Sequence, residues 1–532
     1  MELAKDVYRA LEDVVGREYI SREPVIRDTY NQIWGNKLVF DEKWSIRPAA
    51  VLLPGSTEEV QSIVKVCNRY RIPFKPFSSG FEITATGLES EKAIILDLRR
   101  MNRILELDAK NMRAVVEPYV SVYRLNLEAA KYGLFHPSVG AGPPTGVIAA
   151  SCCHFGSATS QVYTGGCDRQ ILGVEWVLPT GDILKLGTVG TGDGWFSADG
   201  PGLSLRGILR GHAGANGGHG VITKVGVKLY QWYGPPEWEL MGAPPSRKQL
   251  EKVPDGFKLV FTAFPSEDNL FDALREVGKA EIAFCTMPLA NFAGLLNGEG
   301  NTDGWEIYNL AGGYETFKVL DTSLMVVLGA ASSREMEYRD NYLAKIGEKY
   351  GGMRIPELND PNFVKDVFSK IVWCFQAVTM AYRMTGDFFV CPSTDGTEGM
   401  IKRMRPLAIE VLQPRLDKGQ LLQTGVDMFF LPAENYSVGC HVENLYRYDP
   451  WEPDSVNSVR ELLGEVFDPE GKFRSFGVAG MGGGLQFEPA HHVHKNWGPV
   501  YENYDVWLTK IRATLDPNKV TDGGAYIPPV FP

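Results

Sequence analysis

Small residues crowd the loops between Thr145 and Thr223, and nothing else in the chain constrains its fold as strongly. The first of these loops reads Thr145-Gly-Val-Ile-Ala-Ala-Ser-Cys-Cys-His-Phe-Gly156, and the last reads Gly211-His-Ala-Gly-Ala-Asn-Gly-Gly-His-Gly-Val-Ile-Thr223. Between them lies a hydrophobic strand with its turn, Ile171-Leu-Gly-Val-Glu-Trp-Val-Leu-Pro-Thr-Gly-Asp-Ile-Leu184. Backbone that carries few Cβ atoms can lie against a large flat ligand. None of these loops is a good G-x-G-x-x-G or G-x-x-x-x-G-K-[ST], so neither a Rossmann nor a P-loop reading fits.

A chain of 532 residues exceeds what one core sustains, so two domains are expected. A net charge of −11 argues against nucleic-acid binding, which needs a basic face. Met1–Glu12 reads as a charged amphipathic helix rather than a signal segment. No run of about 18 apolar residues occurs, so no membrane span is expected. The eight cysteines form no C-x-x-C pair. That spacing excludes the usual iron–sulfur and structural zinc patterns, and a cytoplasmic location is expected.

Along the chain, Arg47–Gly55 reads as a short buried strand ending in a Pro-Gly turn. Ser56–Tyr70 follows as a helix with a capping box, Ser56 as N-cap and Glu59 three residues on. Ile72–Phe77 and Ala93–Leu98 complete a β-α-β layer. Pro235-Pro236 marks a boundary beyond which strand–helix–strand units recur. Phe257–Ala263, Glu281–Phe284, Ser323–Gly329 and Tyr436–Glu443 are predicted strands, with helices at Asn269–Val277, Arg334–Tyr350 and Ser455–Phe467. Such units commonly build an antiparallel sheet with helices on one face. A last helix is expected over Tyr501–Leu515, ended by Asp516-Pro-Asn-Lys-Val520. The fold class is therefore α+β. Its expected domains are residues 1–235 for cofactor binding, 236–490 as a substrate-binding cap, and 491–532 as a segment returning to the first domain.

These residues resemble the vanillyl-alcohol oxidase/para-cresol methylhydroxylase superfamily of FAD enzymes, and within it the glycolate- and D-lactate-dehydrogenase-type members. Arg47–Glu59 is similar to the family's opening R-P-x-x-V-x-x-P-x-[ST]-x-x-E-V, and Gly217–Thr223 to its G-x-x-G-[IV]-[IV]-T. The resemblance implies a two-subdomain FAD-binding domain plus a cap whose antiparallel sheet is covered by helices. Lys75–Gly87 occupies the slot of the pyrophosphate loop, where Pro76, Ser78, Ser79, Gly80, Phe81 and Gly87 are the expected contacts. Pro137, Thr145, Gly146, Ala149, Ser151, Gly156 and Gly165 are expected along the second flavin loop, and Gly220, Val221 and Ile222 at the closing motif. A glycine- and serine-rich nest can hold a pyrophosphate on main-chain N–H groups without cationic side chains. Phe81 stands where histidyl-linked relatives carry their His, which excludes attachment there. Cys153 and His154 lie where some relatives place a second link, but dehydrogenase-type relatives mostly bind FAD non-covalently, so a non-covalent FAD is expected.

The implied chemistry is dehydrogenation of a small hydroxylated molecule, a 2-hydroxy acid by preference, with hydride passing to flavin N5 and electrons leaving for a separate acceptor. That acceptor could be an electron-transfer flavoprotein, a quinone, an iron–sulfur partner subunit or O₂. A phenolic or benzylic alcohol is the alternative substrate class, and a flavin subunit of a larger complex is the alternative assembly. A His is the usual base for a hydroxyl proton. His491 and His492, in Glu488-Pro-Ala-His-His-Val-His494, lie where glycolate-type relatives carry Glu-His-Gly. Tyr382 and Arg383 are expected to face a substrate carboxylate, since Arg binds one bidentately. His441 lies in a stretch that keeps only part of the relatives' metal motif, so no metal is expected.

Overall fold

The computed structural model describes residues 3–30, 46–80, 87–137, 145–153, 160–187, 202–210, 219–237, 240–241, 249–289, 312, 318–369, 372, 389–422, 429–430, 433–434, 439–476 and 498–522. The first sheet runs in the order Ile20–Ser21, Ala50–Leu52, Ile94–Asp97, Phe74–Phe77. Its last three strands are parallel, and the crossover from the second to the fourth is the helix Thr57–Tyr70. The Ser56 hydroxyl accepts the Glu59 N–H at 3.2 Å, as the capping box requires. Glu59 does not return to Ser56 but takes the Gly55 N–H at 2.7 Å, one residue earlier. Val60, Ile63, Val64 and Cys67 form one apolar stripe and are buried with Leu11 and Val15 of the first helix, Lys5–Val15.

A second sheet, antiparallel throughout, has the order Ile104–Asp108, Arg113–Val116, Val221–Lys228, Ile171–Val177, Ile183–Leu186. Successive side chains of its central strands point to opposite faces. Val177 and Val221 therefore join the core of the first sheet, while Trp176 and Ile222 join a second core under the helix Val122–Ala130. The seam between the two sheets also contains a buried acid. The Glu175 carboxylate accepts from Thr57 Oγ1 at 2.7 Å and Thr223 Oγ1 at 3.2 Å and pairs with Lys224 at 2.8 Å.

The sheets built from later residues are likewise antiparallel. One has the order Ala283–Leu289, Ser323–Gly329, Phe257–Ala263, Met353–Arg354, and the other pairs Phe389–Gly396 with Gly439–Tyr446. Val260, Leu324, Val326 and Leu328 face a core shared with the helices Glu267–Ala280 and Ser333–Lys349. Phe257, Leu259, Phe261, Met325 and Val327 face the other way, onto Phe135 and Trp232. The strand alternation thus supplies two cores at once. The helix Glu398–Asp417 carries Pro406 and Pro414 within it, residues that remove backbone donors and mask a helical pattern in sequence.

The chain returns to its beginning. After the helix Tyr504–Leu515, which starts three residues later than expected, Phe74 N–H donates to Val520 O at 2.9 Å and Asp522 N–H to Phe74 O at 2.8 Å. This parallel bridge lays the C-terminal segment beside the strand Phe74–Phe77.

Candidate functional site

Ligands of sheets with parallel strands gather at the strands' carboxyl ends. Here the strand Phe74–Phe77 runs directly into Ser78, Ser79 and Gly80. Gly80 has φ +72°, a conformation that side-chain-bearing residues rarely adopt and that turns successive amides toward one another. The second small-residue loop is brought against this turn, for the Ser79 hydroxyl accepts the Gly146 N–H at 2.9 Å. A Cβ on Gly146 would lie 2.9 Å from Pro118 O and 3.6 Å from Ser79 Oγ, so only glycine permits the approach.

Thr145 and Val147 are stitched to residues 120–122 by the bonds Val122 N–H to Thr145 O and Val147 N–H to Val120 O. The chain then makes a π-type turn over Ala149–Cys153, a rare geometry met mostly at functional sites. Among the described residues, Thr145 Oγ1 and Ser151 Oγ are both buried without a hydrogen-bond partner. Buried hydroxyls normally find partners, so two orphans in one loop are what a polar guest would satisfy.

Gly165 has φ +74° and is held by a buried polar network. Gln170 Nε2 donates to Thr164 O at 2.8 Å and Gly166 O at 2.9 Å, and the Tyr230 hydroxyl lies 2.6 Å from Gln170 Oε1. Gly220 has φ +99°, and a Cβ there would overlap Val177 O. Its neighbours Val221 and Ile222 spend their side chains on the two cores, leaving only main chain to meet a ligand. Pro76, Gly87, Pro137 and Ala149 are buried or half-buried.

Two histidines escaped the sequence reading. His136 is fully buried, and its Nδ1 lies 3.0 Å from Lys228 O. Asn126 brackets it, accepting its N–H at 2.7 Å and donating to its carbonyl at 3.0 Å. His219, beside Gly220, is buried with Nδ1 unpartnered. Burial pulls His136 down to about 4; burial, reinforced by the Arg512 charge, does the same to His219. Both imidazoles are neutral near pH 7, and among the described residues His136 Nε2 and His219 Nδ1 have no hydrogen-bond partner. His219 was already inside the quoted glycine motif, so its position was visible though its burial was not.

Of the other expected residues, Phe81, Gly156, Tyr382, Arg383, His491 and His492 lie outside the described residues. His441 falls on the strand Gly439–Tyr446 in register with Asp395. Among the described residues, no cluster of three or more His, Cys, Asp or Glu is placed to hold a metal ion.

Glycine turns, paired loops and unsatisfied hydroxyls match the donor set that a flavin dinucleotide needs, and comparison with known proteins agrees. Residues 48–187 match the FAD binding domain family. The chain is 31% identical over 183 residues to the mitochondrial D-lactate dehydrogenase [cytochrome] of Arabidopsis thaliana, covering 34% of this chain and 30% of that protein. It is 28% identical over 182 residues to glycolate oxidase subunit GlcD of Bacillus subtilis (strain 168), covering 34% and 37%. The chain thus spans about a third of the length of the curated relatives it matches. Among solved structures, p-cresol methylhydroxylase superposes with a TM-score of 0.71 at 18% identity over 98% of this chain and 96% of that one. The 4-ethylphenol oxidase of Gulosibacter chungangensis gives 0.69 at 17% identity over 98% and 97%. The chain carries an FAD-binding domain within a p-cresol methylhydroxylase-type fold, as the resemblance implied.

Proposed function

We propose that this chain is an FAD-dependent oxidoreductase that dehydrogenates a small hydroxylated substrate, a 2-hydroxy acid by preference. The observation that carries the reading is the meeting of two glycine loops at Ser79 and Gly146, beside the buried orphan hydroxyls of Thr145 and Ser151. Amides around Ser78, Ser79 and Gly80 would hold the pyrophosphate, and the loop 145–151 would lie against the ring system. When bound, the flavin supplies the two-electron acceptor. The chain's own groups must then orient the substrate and take its hydroxyl proton. We assign the proton to His491 or His492, and the carboxylate to Arg383 with Tyr382, His441 being a further substrate contact. The D-lactate and glycolate enzymes among the relatives support the acid as substrate. Electrons would leave for an external acceptor, whether a flavoprotein, a quinone or an iron–sulfur subunit.

A phenolic or benzylic alcohol is the second reading, and one observation favours it. The D-lactate and glycolate enzymes named above match 34% of the chain, whereas p-cresol methylhydroxylase and 4-ethylphenol oxidase share its fold over 98%. Anaerobic bleaching of the yellow holoprotein against panels of both substrate classes separates the two. Bleaching by 2-hydroxy acids alone supports the first, and bleaching by aromatic alcohols alone replaces it with the second. A colourless protein that takes up no added FAD would overturn both. Alanine at His491 and His492 should slow bleaching while the colour stays.

A further inference from the structure

Residues 87–90 form the exit of the proposed phosphate loop, and distant parts of the chain hold them in place. The buried Lys75 ammonium donates to Gly87 O at 2.6 Å. The Asp522 carboxylate accepts the Glu89 N–H at 3.0 Å and the Ser90 N–H at 3.2 Å, across 433 and 432 positions of sequence. Asp522 is buried, so its charge has been taken out of water and depends on such donors. It is fixed in turn. Its own N–H is bonded to Phe74 O, while Arg512 Nη2 donates to Thr521 O at 2.7 Å. Asp516 accepts the N–H groups of Val520 and Thr521, each at 2.9 Å. All four of Arg512, Asp516, Thr521 and Asp522 are buried.

The entry of the same loop is pinned at Ser79 by Gly146. Ser79 and residues 89–90 are thus held in place before any ligand arrives, and preorganisation of that kind raises affinity by lowering the cost of binding. We propose that Asp522 is a positioning residue for the cofactor, holding the exit of the phosphate loop in its binding conformation. The C-terminal segment is then a clasp on the dinucleotide site, and FAD retention depends on a side chain that need not touch FAD. This inference rests on the FAD reading given above.

The test is titration of apoprotein with FAD and with ADP, which shares the pyrophosphate. The parent is compared with Asp522→Asn, Asp522→Ala and, as a control, Val64→Ala in the helix core. Asp522→Ala should weaken both ligands by about tenfold, the factor that corresponds to roughly 1.4 kcal/mol. Asp522→Asn keeps one acceptor oxygen, so it should fold and fall between the parent and the alanine variant. Val64→Ala lowers the melting temperature of the apoprotein but leaves FAD affinity of the folded protein unchanged. The clasp is rejected if Asp522→Asn binds both ligands as tightly as the parent, or if Val64→Ala loses affinity equally. A parent that binds no FAD rejects the cofactor reading instead. Hydrogen exchange adds a readout without ligand: amides 89 and 90 should exchange faster in Asp522→Asn, and those of Thr57–Tyr70 should not.

Discussion

The Thr57 hydroxyl and the Glu175 carboxylate meet at 2.7 Å across the seam between the two N-terminal sheets. Thr57 opens the helix Thr57–Tyr70, so the carboxylate also sits at the positive end of a helix dipole. Burial alone would raise the Glu175 pKa, but Lys224 and Thr57 outweigh it and hold the group below its ordinary value. Removing the carboxylate leaves Lys224 without its buried partner. Glu175→Ala should cost roughly 3 kcal/mol, and Thr57→Val about 1 kcal/mol. Urea unfolding curves measure both, and an unchanged midpoint in Glu175→Ala would show that the seam does not depend on this pair.

Gly220→Ala should be among the most damaging single-methyl additions in the chain. The position combines φ +99° with a clash against Val177 O on a neighbouring central strand. Strain and overpacking together set the expected loss at roughly 3 kcal/mol. Gly207→Ala is the matched control, since nothing lies within 4 Å of a Cβ there. A denaturant midpoint that fell equally for both would refute the steric account.

Stability should depend on pH through two buried histidines and the half-buried Glu89, which act in opposite senses. His136 and His219 are pulled from 6.5 to about 4. Each contributes stability that is present above pH 6.5 and is lost as pH falls toward 4, because the unfolded imidazole takes the proton first. Glu89 is pushed from 4.5 up to about 7 by burial and then by the Asp522 charge. Its contribution is present below pH 4.5 and is lost as pH rises through 7. Glu89→Gln should therefore gain on the parent steadily between those two values, while keeping the parental fall on the acid side. Melting temperatures across that range decide it: a constant gap between the two proteins contradicts the assignment.

Tyr230→Phe isolates the turn at Gly165. The lost hydroxyl lies 2.9 Å from Thr164 O and 2.6 Å from Gln170 Oε1, within the network that fixes Gly165 and Gly166. The stability loss should be about 1 kcal/mol. FAD should leave the holoprotein faster, as followed by the recovery of flavin fluorescence on dilution. A rate equal to the parent's would mean that the turn does not bear on the cofactor.

Much of the N-terminal part of the fold was readable because its signals are local. Ser56 and Glu59 are three residues apart, the helix stripe repeats within one element, and the glycines announce their turns at the turn itself. The contacts that close the site are of another kind. Asp522 with Ser90, Glu175 with Thr57 and Ser79 with Gly146 join residues 67 to 432 positions apart, and no periodicity connects them. Glu398–Asp417 gave no helical expectation, because Pro406 and Pro414 interrupt the pattern of a helix that tertiary packing sustains. The proposed base and carboxylate residues were chosen from motif position, not from spacing that physics enforces. For His491 and His492 the substitutions proposed above, and not pattern, carry the decision.

The bridge from Phe74 to Thr521 has a temporal meaning as well as a spatial one. Synthesis runs from the amino terminus, so a nascent chain that has released both N-terminal sheets still lacks the segment that bridges to Phe74 and the carboxylate that steadies Ser90. Whatever folding occurs on the ribosome, the dinucleotide cradle reaches its final form only after Asp522 has left the exit tunnel.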